Sequence, residues 1–565
     1  MYTYHDDDKR LVRERAQQFR EQLNRYLAGE LSEEDFRPLR LQNGLYIQRH
    51  APMLRIAVPY GLMNSVQLRK IAAITRRYDR SYAHVSTRQN LQINWPAMEA
   101  IPDILDELAD VDMHCIQTSG NCIRNTTTDH FAGIAPDETE DPRPYCELIR
   151  QWSTLHPEFA YLPRKFKIAV CGSLQDRAAI YAHDVGLALH RNDAGSLGVR
   201  VIVGGGLGRT PVIGSVLEEW LPIEHMLTYL EAILRVYNRL GRRDNKYKAR
   251  IKILIKAMGV DAFRQSVHDE WQHLKEGVMQ LPASTLAAAR AHFSPMPYQD
   301  FTGSDPELPQ NPIFKQWLRH NTHAHKQPGY RAVTVVLKGH GQAPGDISAD
   351  QLDAIADLAD RFSFGEVRNS HHQNMVLADV PEHALFALWQ ALQTHGLAKA
   401  NGGTLADLIC CPGGDFCNLA NARSIPVALA IQERFDDVDY LHDLGPIELN
   451  ISGCMNACGH HHIGHIGILG VDKKGAEFFQ VSLGGKQADN PQLGKILGPS
   501  FSAEEIPAVI ETVLQTYVAL REEDEHFIDT CHRVGIEPFK RAVYQPASIH
   551  KTIHTEVPAH AAAVA

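Results

Sequence analysis

The stretch VQLRKIAAITRRYDRSYAHVSTRQNLQI (66–93) decides the fold, because the chain carries it again as DQLDAIADLADRFSFGEVRNSHHQNMVL (350–377). At a constant offset of 284, the aligned pairs include Leu68 with Leu352, Ile71 with Ile355, and Gln89 with Gln373. Each copy begins with apolar residues at helical spacing and ends with strand-like alternation. A strand candidate precedes each copy (54–61, 332–339) and a helix candidate follows it (98–109, 381–394). The repeat predicts one α+β unit used twice.

A second, weaker repeat follows each copy of the first. RKFKIAVCGS (164–173) is similar to IELNISGCMN (447–456), and VRVIVGGGLG (199–208) is similar to FFQVSLGGKQ (478–487). The predicted plan is therefore unit A, unit B, unit A′ and unit B′, packed about a pseudo-twofold axis with a ligand where the units meet. The alternative for the weaker repeat is two unrelated strands that end in glycine.

Four cysteines form two tight pairs, Cys411 and Cys417 in CPGGDFC and Cys454 and Cys458 in SGCMNACG. Four soft thiolates are what an iron–sulfur cubane needs, because each iron takes one external ligand. Neither pair has the two-residue gap of a zinc knuckle. The alternatives are chance clustering and a ligand shifted by one place, to the adjoining Cys410.

Basic residues recur near the ends of predicted strands in the first half of the chain, namely Arg88, Arg124, Lys165 and Lys167. Lys165 and Lys167 are two residues apart and so share one face of a strand. Cations that converge would repel one another unless an anion lay among them. The set predicts an oxyanion site, and the alternative is separate surface charges.

The segment GGGLGRTP (204–211) is a weak candidate for a dinucleotide fingerprint, because Arg209 stands where the last glycine belongs. We expect a backbone loop that approaches a large anionic ligand. Downstream, Arg250 and Lys252 either bind carboxylates or lie on a solvated helix face. In GHHHIGH (459–465), a structural or solvent-facing role is favoured over a zinc or iron site through His460 and His462.

Composition describes a soluble globular protein of 565 residues, with 44% hydrophobic and 22% charged residues. A net charge of −10 argues against nucleic-acid binding. The charged N-terminus is no signal peptide, and no apolar run approaches a membrane span. We therefore expect a cytoplasmic protein with reduced thiols and no membrane partner.

Taken together, the motifs TRQNLQI, CIRNTTT, LPRKFK, GGGLGRTP, CPGGDFC and SGCMNACG resemble those of the sirohaem- and iron–sulfur-containing sulfite and nitrite reductases, over nearly the whole chain. The resemblance implies an α+β, internally duplicated (A-B-A′-B′) architecture with three domains. The expected divisions are an N-terminal helix and arm (1–50), one domain of two ferredoxin-like units (51–116 with 314–396), a sirohaem and substrate domain (117–313), a [4Fe–4S] and sirohaem domain (397–545) and a tail (546–565).

The resemblance also implies roles for individual residues. Cys411, Cys417, Cys454 and Cys458 would hold a [4Fe–4S] cluster, and the Cys458 thiolate would bridge it to the sirohaem iron. Arg88, Arg124, Lys165 and Lys167 would bind the substrate. Asn456 would lie next to the haem, with Arg209, Arg250 and Lys252 as further sirohaem contacts. In the second copy His372 replaces Arg88, which suggests that A′ has lost the anion site.

The implied activity is the six-electron reduction of sulfite to sulfide. A ferredoxin-dependent nitrite reductase is the alternative on the same scaffold, and a non-catalytic iron–sulfur electron carrier is the alternative of another class. Lys167 favours sulfite, because nitrite-preferring relatives tend to have asparagine there and a second ammonium suits a dianion. No flavin or nicotinamide domain is recognisable, so electrons are expected from ferredoxin or a separate flavoprotein.

Overall fold

The computed structural model describes residues 4–293, 296–301, 308–488 and 490–545, so the predicted tail at 546–565 lies outside the described residues. The helices are α1 Asp6–Leu27, α2 Glu33–Gln42, α3 Ser65–Tyr78, α4 Ile101–Ala109, α5 Arg143–Ser153, α6 Met226–Leu240, α7 Ile251–Met258, α8 Val260–Trp271, α9 Ala283–Ala291, α10 Pro312–Asn321, α11 Ala349–Phe362, α12 Leu385–Thr394, α13 Ser424–Arg434, α14 Val438–Leu444, α15 Ile506–Leu520, α16 Phe527–Val534 and α17 Glu537–Tyr544.

The strands are β1 Leu45–Ile47, β2 Pro52–Ile56, β3 Leu62–Asn64, β4 Tyr82–Val85, β5 Leu91–Ile93, β6 Thr127–Thr128, β7 Ile168–Cys171, β8 Val185–Arg191, β9 Leu197–Val203, β10 Ser215–Pro222, β11 Thr322–Ala324, β12 Tyr330–Val335, β13 Asp346–Ser348, β14 Glu366–Asn369, β15 Met375–Pro381, β16 Ile409–Cys410, β17 Leu449–Ser452, β18 Ile466–Lys473, β19 Ala476–Leu483 and β20 Lys495–Ile496.

The strong repeat builds two antiparallel sheets of the same design, β1-β2-β5-β4-β13 and β11-β12-β15-β14-β3. Each sheet borrows its edge strand from the other copy, because β3 pairs with β14 and β13 pairs with β4. Helices α3 and α11 follow the exchanged strands, and each begins with a capping box, at Asn64 and Ser348. Their apolar faces share one buried core that draws residues from both copies. The exchange therefore ties units A and A′ together.

The weaker repeat is confirmed by sheet topology. Unit B has the order β6-β7-β8-β9-β10, and unit B′ has the order β16-β17-β18-β19-β20. In both sheets the first three strands run parallel and the last two pair antiparallel. A bridge between Gly206 and Val212 after β9 is matched by one between Lys486 and Gln492 after β19. Unrelated glycine-ended strands would not reproduce both features, so the A-B-A′-B′ plan holds.

The N-terminal segment differs from the expected helix and arm, because residues 33–42 form a second helix, α2. Ser32 caps that helix through the Asp35 amide, and three acidic residues occupy its first turn. The Phe36 ring stacks on Tyr26 with 4.4 Å between centroids, which fixes α2 against α1. Within the described ranges, no helix is both long and apolar enough to cross a membrane.

Candidate active site

Two glutamines of the repeat join the A units to the B units. Gln89 and Gln373 have left-handed backbones, with φ of 60° and 61°. The Gln89 side chain bonds both backbone groups of Thr128, with Nε2 to O at 3.0 Å and Oε1 to N at 3.1 Å. Gln373 makes the same pair of bonds to Cys410, at 3.0 and 2.8 Å. Since Cys410 ends β16, this contact also fixes where Cys411 begins its loop.

One cavity, called the first cavity here, brings most of the predicted site residues together. It lies where units A and B meet unit B′, with Gln373 contributed by unit A′. It is lined by Arg88, Arg124, Lys165, Lys167, Cys411, Asn456, Cys458 and His460, together with Arg55, His84, Ser86, Thr87, Asn90, Gln92, Gln117, Thr118, Gln373 and Pro412. Two of the four paired cysteines and all four predicted cations therefore share one space.

The two arginines are held by backbone and hydroxyl oxygens. Arg88 donates to the Thr127 hydroxyl at 3.0 Å and to the Asn125 carbonyl at 2.7 Å. Arg124 donates to the Thr118 carbonyl at 2.8 Å and to the Gly120 carbonyl at 2.8 Å. Burial, with Arg124 next, lowers the pKa of Arg88 to about 9. These contacts orient the guanidinium groups without neutralising them.

Burial and neighbouring positive charges disfavour the charged forms of the two lysines. Burial lowers the pKa of Lys165 to about 8; Arg124 and Arg250 add to the shift, and the Cys458 thiolate opposes it. The pKa of Lys167 lies well below its ordinary value, through burial first and then through Lys165 and Arg88. A bound anion would relieve this repulsion and raise both values. The arrangement therefore favours an anionic ligand.

Asp184 is a residue that sequence reasoning missed. Its carboxylate is wholly buried and accepts two bonds from Arg250, at 2.9 and 2.7 Å. Its other oxygen accepts the Lys167 amide at 2.9 Å, which fixes the start of β7 beside β8. The sequence offers no signal for this role, because the partners lie 17 and 66 residues away.

Three predicted cofactor contacts do not line the first cavity. Lys252 is buried, and its ammonium donates hydrogen bonds to the carbonyls of Gly206, Leu207 and Thr210. The bond to Thr210 is the shortest. Arg250 pairs with Asp184, and Arg209 is solvent-exposed on the glycine loop. Lys252 therefore fixes the loop after β9 with its ammonium donors, and its burial is at odds with the solvated helix face that was the alternative to carboxylate binding.

The four paired cysteines follow the parallel strands of unit B′. Cys411 comes directly after β16, and Cys454 follows β17 by two residues. The Gly453 amide donates to Cys411 Sγ at 3.2 Å, and the Leu419 amide donates to Cys417 Sγ at 3.4 Å. Burial, followed by Cys458, raises the pKa of Cys411 to about 12. Nearby thiolates disfavour one another, so a positive metal centre among them is the natural stabiliser.

The residues present fit a multi-iron cluster. Among the described residues, no three His, Cys, Asp or Glu side chains are close enough to share a single metal ion. A cubane needs thiolates set around a larger space, with one for each iron. Backbone must also pass close by, and a Cβ on Gly453 would come within 2.7 Å of the Gly413 Cα. The amide-to-sulfur bonds and these close-packed glycine loops suit that group.

The histidine run after Cys458 is divided between two places. His460 lines the first cavity, and His462 Nε2 contacts the Gly208 carbonyl at 3.0 Å. Thr87 donates to the Cys458 carbonyl at 2.7 Å and so joins unit A to the same loop. His462 thus holds the glycine loop against unit B′, which is the structural one of the two roles that were expected.

A second cavity lies at the pseudo-twofold equivalent position. Its lining includes His130, Asp176, Arg177, His323, His372, Glu448, His465 and Lys486. Equivalent hydrogen bonds fix the correspondence: the Cys417 amide bonds Gly413 O as the Ala135 amide bonds Phe131 O. By the same register Asp129 replaces Cys411, Ala135 replaces Cys417, Ser173 replaces Cys454 and Arg177 replaces Cys458.

Ion pairs occupy the second cavity where the first has thiols. The Arg177 guanidinium contacts Asp129 at 2.8 Å and Asp137 at 2.7 Å, and the Ser173 hydroxyl donates to Asp129 at 3.1 Å. The cations are replaced as well. His372 corresponds to Arg88, Ala406 to Arg124 and Glu448 to Lys167. The positions of unit B′ that correspond to Arg124 and Lys167 thus hold no cation.

Comparison with known proteins agrees with this architecture. The "Nitrite and sulphite reductase 4Fe-4S domain" matches residues 119–275 and 401–551, and the "Nitrite/Sulfite reductase ferredoxin-like half domain" matches 46–111 and 323–395. A "Sulfite reductase [ferredoxin]" of Mycobacterium tuberculosis is 30% identical over 84% of this chain and 81% of its own length. A chloroplastic "Ferredoxin--nitrite reductase" of Arabidopsis thaliana is 29% identical over 84% and 78%.

A solved structure is similar over most of both chains. The Mycobacterium tuberculosis NirA protein matches with a TM-score of 0.74 and 27% identity, covering 90% of this chain and 92% of that one. The chain therefore belongs to the nitrite and sulphite reductase family, whose [4Fe–4S] cluster and sirohaem are its cofactors.

Proposed function

We propose that the protein catalyses the six-electron reduction of sulfite to sulfide, with electrons supplied by ferredoxin. One observation carries the proposal: four cations and two thiols of the paired cysteines line the same cavity. A small oxyanion is the ligand that such a set of cations would hold. The names of the matched sulfite reductases include ferredoxin, which supports that donor over a flavoprotein.

Cys411, Cys417, Cys454 and Cys458 would hold the cluster, and Cys458, on the wall of the first cavity, would also ligate the sirohaem iron. When bound, these groups would relay electrons from the donor and provide the site at which sulfur is reduced. The exposed Asn456 lies beside Cys458 and would contact the haem. The loop fixed by Lys252 and His462 would border the same group.

The chain's own residues would bind the anion and supply protons. Arg88 and Arg124 are oriented by their backbone partners, so they offer fixed donors to oxygens of the substrate. Each oxygen that leaves as water needs protons, and Lys165, with a pKa of about 8, can give one near neutral pH. Lys167 would act beside it, and Asp184 would hold its backbone in place.

Nitrite reduction to ammonia is the second candidate, since nitrite reductases also match this chain at 28–29% identity. Sulfite is favoured because Lys165 and Lys167 both line the cavity, and two ammonium groups stabilise a dianion more than a monoanion. A non-catalytic electron carrier is disfavoured, because it would have no use for a buried set of cations.

Steady-state rates with sulfite and with nitrite test the proposal, each measured with reduced ferredoxin and with a reduced flavoprotein. We expect the highest kcat/KM for sulfite with ferredoxin. A higher value for nitrite would transfer the proposal to the second candidate. A purified protein with cluster absorption but no sirohaem band, and no turnover of either anion, would make it a carrier.

A further inference from the structure

His183 completes the set of contacts around Arg88. The imidazole is buried and its Nε2 contacts Nη1 of Arg88 directly, whereas Nη2 of Arg88 donates to the Asn125 carbonyl. Arg88 thus has three partners, the hydroxyl of Thr127 being the third. The family role proposed above for Arg88 gives no reason for an imidazole at this place.

The tautomer of His183 follows from its second contact. Nδ1 lies 2.8 Å from the carbonyl oxygen of Ala179, which can only accept a hydrogen bond. The Nδ1 atom therefore carries the proton, and Nε2 is left as the acceptor that a guanidinium donor requires. Burial, with Arg88 and Lys167 next, sets the pKa of His183 well below its ordinary value, so the ring stays neutral.

The duplication gives an independent observation. The Gly214 amide bonds Tyr181 O as the Gly494 amide bonds His462 O, so these two loops correspond. Two residues further on, His183 corresponds to Gly464. The copy that has His372 in place of Arg88 thus also lacks the imidazole. At these two positions, the first half of the chain has both the arginine and its histidine partner, and the second half has neither.

We propose that His183 is a positioning residue that holds the Arg88 guanidinium in the orientation that binds the substrate anion. The inference rests on the proposed function, because it takes Arg88 to contact sulfite. Without the imidazole, Arg88 would keep its bonds to Thr127 and Asn125 but lose the second acceptor of Nη1, and repulsion from Arg124 would shift the guanidinium away from that cation. The neutral acceptor prevents this without cancelling the charge of Arg88.

Two substitutions separate this role from a structural one. In His183→Gln the terminal amide oxygen lies near the place of Nε2 and can accept from Arg88, whereas in His183→Asn the amide nitrogen lies near Nδ1 and can only replace the bond to Ala179. We expect the Asn variant to bind sulfite about tenfold more weakly, and the Gln variant to stay within about threefold of the parent. The measurement is a visible-spectrum titration of the cofactor-loaded protein with sulfite.

The double variant gives the decisive control. If His183 acts through Arg88, adding His183→Asn to Arg88→Ala should change the dissociation constant for sulfite by less than about twofold. Multiplying effects, or rescue by Asn rather than Gln, would overturn the proposal, as would a parent protein that binds neither sulfite nor nitrite. A parent that binds anions but does not reduce them would instead refute the proposed function and leave the role of His183 measurable.

Discussion

The first and second cavities are formed by equivalent positions of the duplicated units, yet the charged and thiol side chains of the first are replaced at most equivalent positions of the second. Arg88, Arg124 and Lys167 in the first correspond to His372, Ala406 and Glu448 in the second. The glutamines that join the units are retained on both sides, with matching bonds to Thr128 and Cys410. The duplication thus keeps the contacts that hold the fold together, and only the first cavity has the cations and thiols to which we assign anion and cluster binding.

The cysteine positions should show the largest difference between the halves. We expect Cys454→Ser to abolish the cluster and all turnover, because one iron loses its ligand. The matched change Ser173→Ala, at the equivalent position of unit B, should leave iron content unchanged. Iron analysis and the spectrum of the reduced protein measure both. Cys410→Ser should also keep the cluster. If the cluster were lost in Cys410→Ser and kept in Cys411→Ser, the ligand would be Cys410 and not Cys411.

The cation positions should show the next largest difference. Arg124→Ala removes a fixed donor to the substrate and should lower kcat/KM for sulfite by about a hundredfold, with cofactors retained. His372→Ala, at the second-cavity equivalent of Arg88, should change it by less than about twofold, because that cavity is not the proposed site. Full activity of a loaded Arg124→Ala protein would contradict the assigned role.

The repeat of the A units was predictable because aligned apolar residues and the Gln-Asn pair are visible in the sequence. The repeat of the B units was only suggested by two short matches, since sheet order is a property of the folded chain. The exchange of β3 and β13 had no sequence signal, because periodicity shows that a strand exists and not which strand it pairs with. His183, Asp184 and Arg177 were missed for a related reason: their partners are distant in sequence. The helix at 33–42 is different, because Ser32 and the acidic turn were visible signals.

The ion pairs of the second cavity should matter for stability alone. Arg177→Ala leaves the buried Asp129 carboxylate without its counter-ion, which should lower the free energy of unfolding by about 3–5 kcal/mol. Chemical denaturation measures the loss. Arg200→Ala is the matched control, because its pair with Glu219 is largely solvent-exposed and should contribute less than about 1 kcal/mol. Iron content per folded molecule should not change, and a loss of cluster in Arg177→Ala would mean that the two cavities are coupled.

The preference for sulfite over nitrite should differ less between substitutions in the two cavities. Lys167→Asn removes one ammonium and keeps a neutral donor, so we expect the ratio of kcat/KM for sulfite to that for nitrite to fall by about ten- to a hundredfold. The ratio is measured in matched, cofactor-loaded preparations. Glu448→Asn changes the equivalent residue of the second cavity and should leave the ratio alone. An unchanged ratio in Lys167→Asn would favour the second candidate function, nitrite reduction.

The smallest expected effect is a difference in pH dependence. Burial lowers the pKa of Lys165 to about 8, so its cationic form is lost as the pH rises through that value, and sulfite binding should weaken with it. Burial raises the pKa of Glu448 to about 7, so the second cavity favours the neutral carboxyl. Because the folded pKa exceeds the ordinary value of 4.5, the stability contributed by Glu448 is complete below about pH 4.5 and declines as the pH rises through 7.

Paired variants isolate the two titrations, since sulfite itself also changes protonation. Subtracting the pH profile of kcat/KM for Lys165→Gln from that of the parent should leave a decline of a few fold above about pH 8. Subtracting the pH profile of unfolding free energy for Glu448→Gln should leave a decline between pH 4.5 and 7, with the activity profile unchanged. If Glu448→Gln shifted the activity profile instead, the second cavity would supply protons to the first, and the two cavities would no longer have separate roles.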